Sequence, residues 1–211
     1  KFLAGGELQW DSISMVQASQ LGQQYEQQRA AVRSALEHAD TTISVPLSQG
    51  VGLNVEFLDA ALLYHRLEVF HAANQLTRGE LASTLQSLHI MFRFSVLLCG
   101  LNHIMSCLIA VRCRQEAFSI VSAVAAHPET DDAQWNELQK LIEWQLDVWP
   151  ADAKAWVGDR AQGLHMYEMI RDGHLLSVLT SDELAELSQG RSLDAFQAAA
   201  ANSIDNDELF Y

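Results

Sequence analysis

Three polar side chains in the segment HRLEVFH have the residue types and the spacing of a small metal site. His65, Glu68 and His71 recur at every third residue, which places them within about 120° of the circumference of a helix. Glu-x-x-His is also the unit that carboxylate di-metal bundles use. One hypothesis is therefore a metal-binding protein or a metal-dependent enzyme that uses these three residues.

The rest of the chain does not supply the partners that a di-metal bundle needs. Such a site takes a second Glu-x-x-His and two further Glu, but His89 follows Gln86 and His103 follows Gly100 at the matching spacing. The alternative interpretation is a polar helix flank on which Glu68 pairs with an arginine. The candidate arginines are Arg66, Arg93 and Arg112.

A second group of possible ligands is formed by Cys99, His103 and Cys107, which are spaced four residues apart. Thiolates and imidazole suit zinc or copper, and an unbroken helix would align the three side chains. Gly100 and Asn102 predict a break between helices, which would separate them. With no Cys-x-x-Cys pair in the chain, buried free thiols are the expected state of the cysteines.

Motifs for other chemistry are absent from the sequence. It contains no Gly-x-Ser-x-Gly, no His-Glu-x-x-His, no phosphate-binding loop and no Gly-x-Gly-x-x-Gly. We therefore predict no catalytic residues and no cofactor, and a non-catalytic protein is favoured over an enzyme.

The charge distribution limits the possible partners. The 211 residues carry 13 basic and 27 acidic side chains, for a net charge of −14, so phosphate neutralisation has no source and nucleic acid is not an expected partner. Residues 128–211 hold 17 of the acidic and 5 of the basic groups. If a partner is recognised electrostatically, it should present a basic surface to this acidic segment.

The elements that carry these residues are predicted to be helices. The chain contains only 3 Pro and 11 Gly, strand patterns are almost absent, and 49% of the residues are hydrophobic, which is enough for a sizeable core. We predict an all-α fold of antiparallel helical hairpins, with seven to eight helices in a tetratricopeptide-like or irregular bundle. One domain is expected over residues 1–211, with an N-terminal helix at 10–40, an apolar hairpin core at 53–127 and an acidic helical layer at 128–211.

Helix boundaries in the core follow from capping signals. Helices are predicted over 55–75, 77–99 and 101–126, with Thr77 and Glu80 forming a capping box at the second. The third helix is apolar nearly all round, which predicts a position at the centre of the core.

Further boundaries are expected toward the C-terminus. Thr130 or Asp131 caps the next helix, Pro150 lies in the first turn of the one after it, and Gly173 closes that helix. A second capping box is predicted at Thr180 and Glu183, which would begin a short helix.

Residues 55–175 also carry a pattern that is similar to a known group of proteins. The pattern L-x-x-R-L-x-x-F, R-G-E-L-x-x-T-L-x-x-L and F-R-F, followed later by Gly158, Asp159, Arg160 and Ala161, resembles the tetratricopeptide-like hairpins of uncharacterised all-helical proteins of Gram-negative bacteria and planctomycetes. Those proteins often have a single N-terminal membrane anchor. The resemblance implies a helical cell-envelope protein without catalytic residues.

The compartment is left open by the sequence. No signal peptide is visible after Lys1, and a membrane anchor upstream of it would give a periplasmic or membrane-anchored protein, the alternative being a cytoplasmic one. No transmembrane segment is predicted in the chain, because the uncharged run Ser95–Val111 is interrupted near its middle and is better explained as two buried helices.

The leading functional hypothesis is a non-catalytic helical interaction or scaffold protein. It would present helix surfaces to a protein partner or to a second copy of itself. The alternatives are the metal site at His65, Glu68 and His71, and a binder of an apolar ligand between the middle helices.

Overall fold

A computed structural model describes residues 3–4, 7–8, 20, 22–38 and 57–174, and the isolated positions 176, 179, 194 and 198. Six helices lie in this part of the chain: α1 (Glu26–Glu37), α2 (Phe57–Thr77), α3 (Leu81–Cys99), α4 (Ile104–Ala125), α5 (Asp132–Val148) and α6 (Ala153–Arg171). Two short strands, β1 (Leu3–Ala4) and β2 (Glu7–Leu8), pair antiparallel. The all-α class is confirmed, while the capping box predicted at Thr180 and Glu183 lies outside the described residues.

The chain groups into two compact units. The first comprises Lys1–Ser44 and Val55–Ala155, and the second comprises Val45–Asn54 and Trp156–Tyr211. Helices α1 to α5 belong to the first unit, and α6 begins at its end. The single domain over residues 1–211 stays a prediction.

Helix α3 is the centre of the first unit, where it packs against α1, α2, α4 and α5. Its side chains are buried on several faces, as its apolar composition requires. The prediction that the helix after Leu101 occupies the centre was wrong, because Leu108 of α4 is exposed. The core consists of Val69, Ala72, Ala73, Leu81, Leu85, Leu88, Met91, Phe92, Ala117, Ile120, Val121, Val124, Leu138 and Leu141.

The turn between α2 and α3 is made by a glycine. Gly79 has a φ of 72°, which costs a residue with a side chain about 1–2 kcal/mol. The Gly79 amide donates to the Leu76 carbonyl at 2.9 Å, and the Glu80 amide donates to the Gln75 carbonyl at 3.0 Å. This pair of bonds is a Schellman motif, which ends α2 and turns the chain into α3.

The predicted capping box at this turn was wrong. Thr77 is the last residue of α2, and its hydroxyl donates back to the Asn74 carbonyl at 2.8 Å. Glu80 precedes α3 without making a side-chain capping bond. The Thr-x-x-Glu spacing was misleading because the glycine between the two residues ends one helix before the next begins.

The turn between α3 and α4 confirms the predicted break. Asn102 has a φ of 54°, and His103 caps α4 by accepting a hydrogen bond from the Ser106 amide. The uncharged run from Ser95 is therefore divided between two helices. Among the residues that the structure describes, α3 is the one helix long and apolar enough to cross a membrane, but 61% of its apolar window is buried in the protein, as in a core helix, so this is weak evidence for a span.

Later helix ends confirm two of the three predicted signals. Asp131 and Gln134 form a capping box at the start of α5, and Gly173, with a φ of 81°, follows the end of α6. Pro150 is not in the first turn of α6, since that helix begins at Ala153. The chain leaves α5 at Trp149 in an extended conformation and crosses to α6 over a short connection.

Candidate functional site

Glu68, one of the three predicted metal ligands, is held by charged donors. It has an exposed fraction of 0%. Its Oε1 accepts a hydrogen bond from Arg29 Nη1 at 3.0 Å, and its Oε2 accepts one from Arg33 Nη1 at 3.3 Å. The Tyr64 hydroxyl donates to Oε1 at 3.4 Å. The predicted partners Arg66, Arg93 and Arg112 were therefore wrong, since both arginines come from α1.

These contacts belong to a larger network that joins α1, α2 and α3. Arg29 also donates to both carboxylate oxygens of Glu26, at 2.7 and 3.0 Å. Arg33 donates to the Ser87 hydroxyl at 3.1 Å, and that hydroxyl donates to Gln75 Oε1 at 2.9 Å. We call this network the ionic cluster; its members are Glu26, Arg29, Arg33, Tyr64, Glu68, Gln75 and Ser87.

Burial and charge act against each other in the ionic cluster. Burial raises the pKa of Glu68, and the guanidinium groups of Arg29 and Arg33 oppose that shift. The hydrogen bond from Arg29 lowers the pKa of the more exposed Glu26. Because arginine keeps its charge at every accessible pH, each Glu68 oxygen faces a permanent cation. Such a carboxylate is poorly placed to bind a metal ion.

His65 lies fully buried on α2 and contacts a different acidic group. Its Nε2 is 3.4 Å from Glu116 Oε2, and its ring is nearly parallel to that of Phe94. Burial, with the positive charges of Arg66 and Arg112, lowers the pKa of His65 to about 3, although the main chain of Cys113 offsets part of the shift. The imidazole is therefore neutral at physiological pH.

The hydrogen bonds around His65 are incomplete. Within the described ranges, neither ring nitrogen meets a partner in good hydrogen-bond geometry. Glu116 itself accepts a hydrogen bond from Arg112 Nε at 3.3 Å. His65 is thus a buried, neutral base held 3.4 Å from a carboxylate that already has a cationic partner.

His71, the third predicted ligand, is half-buried beside the ionic cluster. Burial, followed by the positive charges of Arg29 and Arg33, lowers its pKa to about 4. Among the residues that the structure describes, one group of three His, Cys, Asp or Glu side chains has ligand atoms close enough to share an ion, and it contains none of His65, Glu68 and His71. A metal at these three residues stays a prediction.

The group that does come together is formed by two cysteines and an aspartate. Cys99 Sγ lies 3.4 Å from Cys107 Sγ, and the Asp152 carboxylate completes a set of ligand atoms within 4.8 Å of one another. We call Cys99, Cys107 and Asp152 the thiol cluster. Both cysteines are buried and Asp152 is exposed.

The helix break brings the two sulfur atoms together, so the expectation that it would separate Cys99 from Cys107 was wrong. Cys99 ends α3, Cys107 lies in the first turn of α4, and the tight turn between them returns the chain onto itself. His103 has another role, because its Nδ1 accepts from the Ser106 amide at 3.4 Å. Burial, followed by the contact with Cys107, raises the pKa of Cys99 to about 12.

A cation–aromatic contact lies next to the thiol cluster. The Arg114 guanidinium carbon is 4.4 Å from the centre of the Trp149 ring, so α4 holds the connection that carries Asp152. The positive charge of Arg114 also opposes the rise in the pKa of Cys99. Arg114 therefore positions the connection that carries Asp152 and supplies a positive charge near Cys99.

Sequence reasoning missed Arg29 and Arg33, although a signal for Arg29 was present. Tyr25, Arg29 and Leu36 fall on one face of α1, and that face is otherwise apolar. An arginine on the apolar face of a helix indicates a buried acidic partner. Asp152 carried no comparable signal, since it is one of the 17 acidic residues of the segment 128–211.

Comparisons were made with protein-family models, with curated proteins and with solved structures. None of the three gives a match to this chain.

Proposed function

We propose that the protein is a non-catalytic helical interaction protein that binds an amphipathic helix of a partner on the exposed apolar face of α4. The observation that supports this proposal is a row of three apolar side chains on that helix. Met105, Leu108 and Val111 have exposed fractions of 49%, 57% and 37%. We call these three residues the α4 stripe.

The spacing of the α4 stripe suits recognition by another helix. Residues three apart lie on one side of a helix, and the other side of α4 is already buried through Ala110, Cys113 and Ala117. Single exposed apolar residues are ordinary on protein surfaces, whereas a contiguous row marks a contact surface more often. Helix-in-groove complexes use anchors at this spacing.

The charge of the chain favours a partner other than a second copy. Each copy carries a net charge of −14, so two copies repel one another during encounter. A neutral or basic partner avoids that repulsion and is attracted by the acidic C-terminal segment. The partner helix would place leucine-like side chains on the α4 stripe and an acidic side chain near Arg112, which is half-exposed beside it.

The environment of Glu68 supports a structural role for this residue over a catalytic one. Glu68 is held between two arginines, which leaves it without the freedom that a proton-transferring group needs. The proposal includes a tetratricopeptide-like arrangement of seven to eight helices. Its placement in the cell envelope rests on the resemblance alone.

A photoreactive amino acid at position 108 of the full chain, expressed in the cells of origin, tests the proposal. We expect a crosslink to one protein species from position 108 and none from position 136, an exposed polar position on α5. The captured protein is then purified and its affinity is measured. Leu108→Glu should weaken binding at least about tenfold, while Asn136→Glu, which adds the same charge on α5, should not weaken it.

Three results would contradict the proposal. Equal crosslinking from positions 108 and 136 would show that the α4 stripe is not the contact surface. A crosslink between two copies of the chain would show that the α4 stripe mediates self-association and not binding to a different protein. Turnover of a substrate by the purified chain would overturn the non-catalytic role.

A further inference from the structure

The two sulfur atoms of the thiol cluster lie at a separation close to that of two ligands on one metal ion. Zinc binds thiolate at about 2.3 Å in tetrahedral geometry, so two thiolates on one ion are about 3.8 Å apart. Cys99 Sγ and Cys107 Sγ are 3.4 Å apart. They need to open by only about 0.4 Å, which side-chain rotation can supply.

The Asp152 carboxylate supplies the third ligand and the route of entry. Its oxygen lies within 4.8 Å of both sulfur atoms, and the residue is exposed while the cysteines are buried. An ion from solvent therefore meets the carboxylate first and the sulfur atoms behind it. A mixed set of two thiolates and one carboxylate suits zinc, whereas copper(I) prefers sulfur ligands alone.

We propose that Cys99, Cys107 and Asp152 form a zinc-class metal site with three protein ligands and a fourth, open coordination position. Zinc binding would join the end of α3, the first turn of α4 and the connection between α5 and α6. This inference does not rest on the proposed partner-binding function, since it uses none of the residues of the α4 stripe.

The charges of the site balance when a divalent ion is bound. Each thiol releases its proton to solvent as its sulfur binds, so one zinc ion displaces two protons. Two thiolates and the Asp152 carboxylate give three negative charges, which the ion and the nearby Arg114 guanidinium neutralise. Neutrality matters here because an uncompensated charge among buried side chains is costly.

Protons compete with the ion for both sulfur atoms, so zinc affinity should rise with pH. Two displaced protons per ion give an increase of up to about a hundredfold in apparent affinity for each pH unit.

A cobalt titration of the full chain tests the site. The protein is made without a histidine tag, reduced, freed of metal and titrated with Co²⁺ as an optical substitute for zinc. We expect thiolate-to-cobalt charge-transfer bands and tetrahedral d–d bands that saturate at one equivalent. Zinc should then displace the cobalt and abolish the bands.

Variants locate the site. Cys99→Ser and Cys107→Ser should weaken Co²⁺ binding by at least about a hundredfold, and Asp152→Asn by about tenfold. Cys113→Ser is the matched control, because Cys113 is equally buried and lies outside the thiol cluster; its binding should equal that of the wild type. In the Cys113→Ser protein, zinc should also slow alkylation of Cys99 and Cys107 at least about tenfold, a test that keeps both ligands intact.

The results that would overturn the site are equally specific. The proposal fails if the reduced wild-type chain shows no charge-transfer band at millimolar Co²⁺. It also fails if the bands persist in Cys99→Ser, or if zinc leaves the alkylation rates of Cys99 and Cys107 unchanged in Cys113→Ser.

Discussion

The Glu68 carboxylate accepts a hydrogen bond of 3.0 Å from the Arg29 guanidinium, a residue 39 positions earlier in the chain. The Glu68 side chain has no exposed surface, and that of Arg29 is 7% exposed. Removing one member of such a pair is costly, because the charge that remains is buried without its partner.

Glu68→Gln should therefore lower the free energy of unfolding by about 3 kcal/mol, measured by urea denaturation at pH 7. The matched control is Glu37→Gln, since Glu37 is about half exposed and lies 3.9 Å from Arg33; its effect should be below about 0.5 kcal/mol. An equally small effect of Glu68→Gln would mean that Glu68 is already neutral in the folded protein.

His65 should make the protein sensitive to mild acid. Its pKa is lowered from 6.5 to about 3. Between these two values the His65 imidazole binds a proton in the unfolded chain but not in the folded one. The contribution of His65 to the free energy of unfolding is fully present above pH 6.5 and is lost as the pH falls toward 3. Between pH 7 and pH 5, the wild type should lose about 2 kcal/mol more than His65→Gln.

Chemical denaturation at the two pH values measures this difference. The contribution of Glu68, whose raised pKa has the opposite sign, is present in both proteins and cancels. The groups around His65, namely Glu116, Arg66, Arg112 and Cys113, are also unchanged. His165→Gln, at an exposed histidine, should keep the wild-type pH dependence, and an identical slope in His65→Gln would refute the assignment.

Gly79→Ala should destabilise the protein by about 1–2 kcal/mol, because the left-handed backbone at this turn disfavours a side chain. A Cβ at this position would also lie 3.2 Å from Glu129 Oε2. Gly163→Ala is the counterpart, since Gly163 is inside α6 with nothing within 4 Å of an added Cβ. It should stabilise by about 0.5–1 kcal/mol. Thermal unfolding of both variants distinguishes a turn requirement from a general effect of replacing glycine.

Asp131→Ala should cost about 1 kcal/mol, because the Asp131 carboxylate accepts from the Gln134 amide at 2.9 Å at the start of α5. Thr77→Ala is the comparison, because the Thr-x-x-Glu spacing in the sequence also predicts a helix cap at Thr77. It should change the stability by less than about 0.5 kcal/mol, since the Thr77 hydroxyl only donates back into its own helix. Equal losses in the two variants would contradict this distinction.

The features that the sequence predicts well are those that depend on neighbouring residues. The cap at Asp131, the terminator at Gly173 and the break near Asn102 are each set within a few positions, and all three are present. The predicted capping box at Thr77 was wrong for a reason that is also local. The left-handed turn at Gly79 ends α2, and the amides of Gly79 and Glu80 bond to carbonyls in the last turn of that helix.

The ionic cluster could not be predicted in this way. Periodicity shows which face of α1 or α2 is buried, but it does not show that these two helices meet, so Glu68 could be paired only with arginines of the core segment. The sequence did not predict the exposed side of α4 for the same reason. A helix that is apolar all round looks central until the number of helices packed against it is known.

The paired arginines of the ionic cluster also fix the register of α1. Arg29 and Arg33 are one helical turn apart, and each holds a different oxygen of the same carboxylate. A slip of α1 by one turn would leave a single arginine at Glu68 and carry the other past it. An apolar face alone tolerates such a slip far better, because one leucine-sized side chain can replace another. The buried charges therefore select one alignment among several of similar hydrophobic energy, as buried polar and ionic groups do in some other proteins.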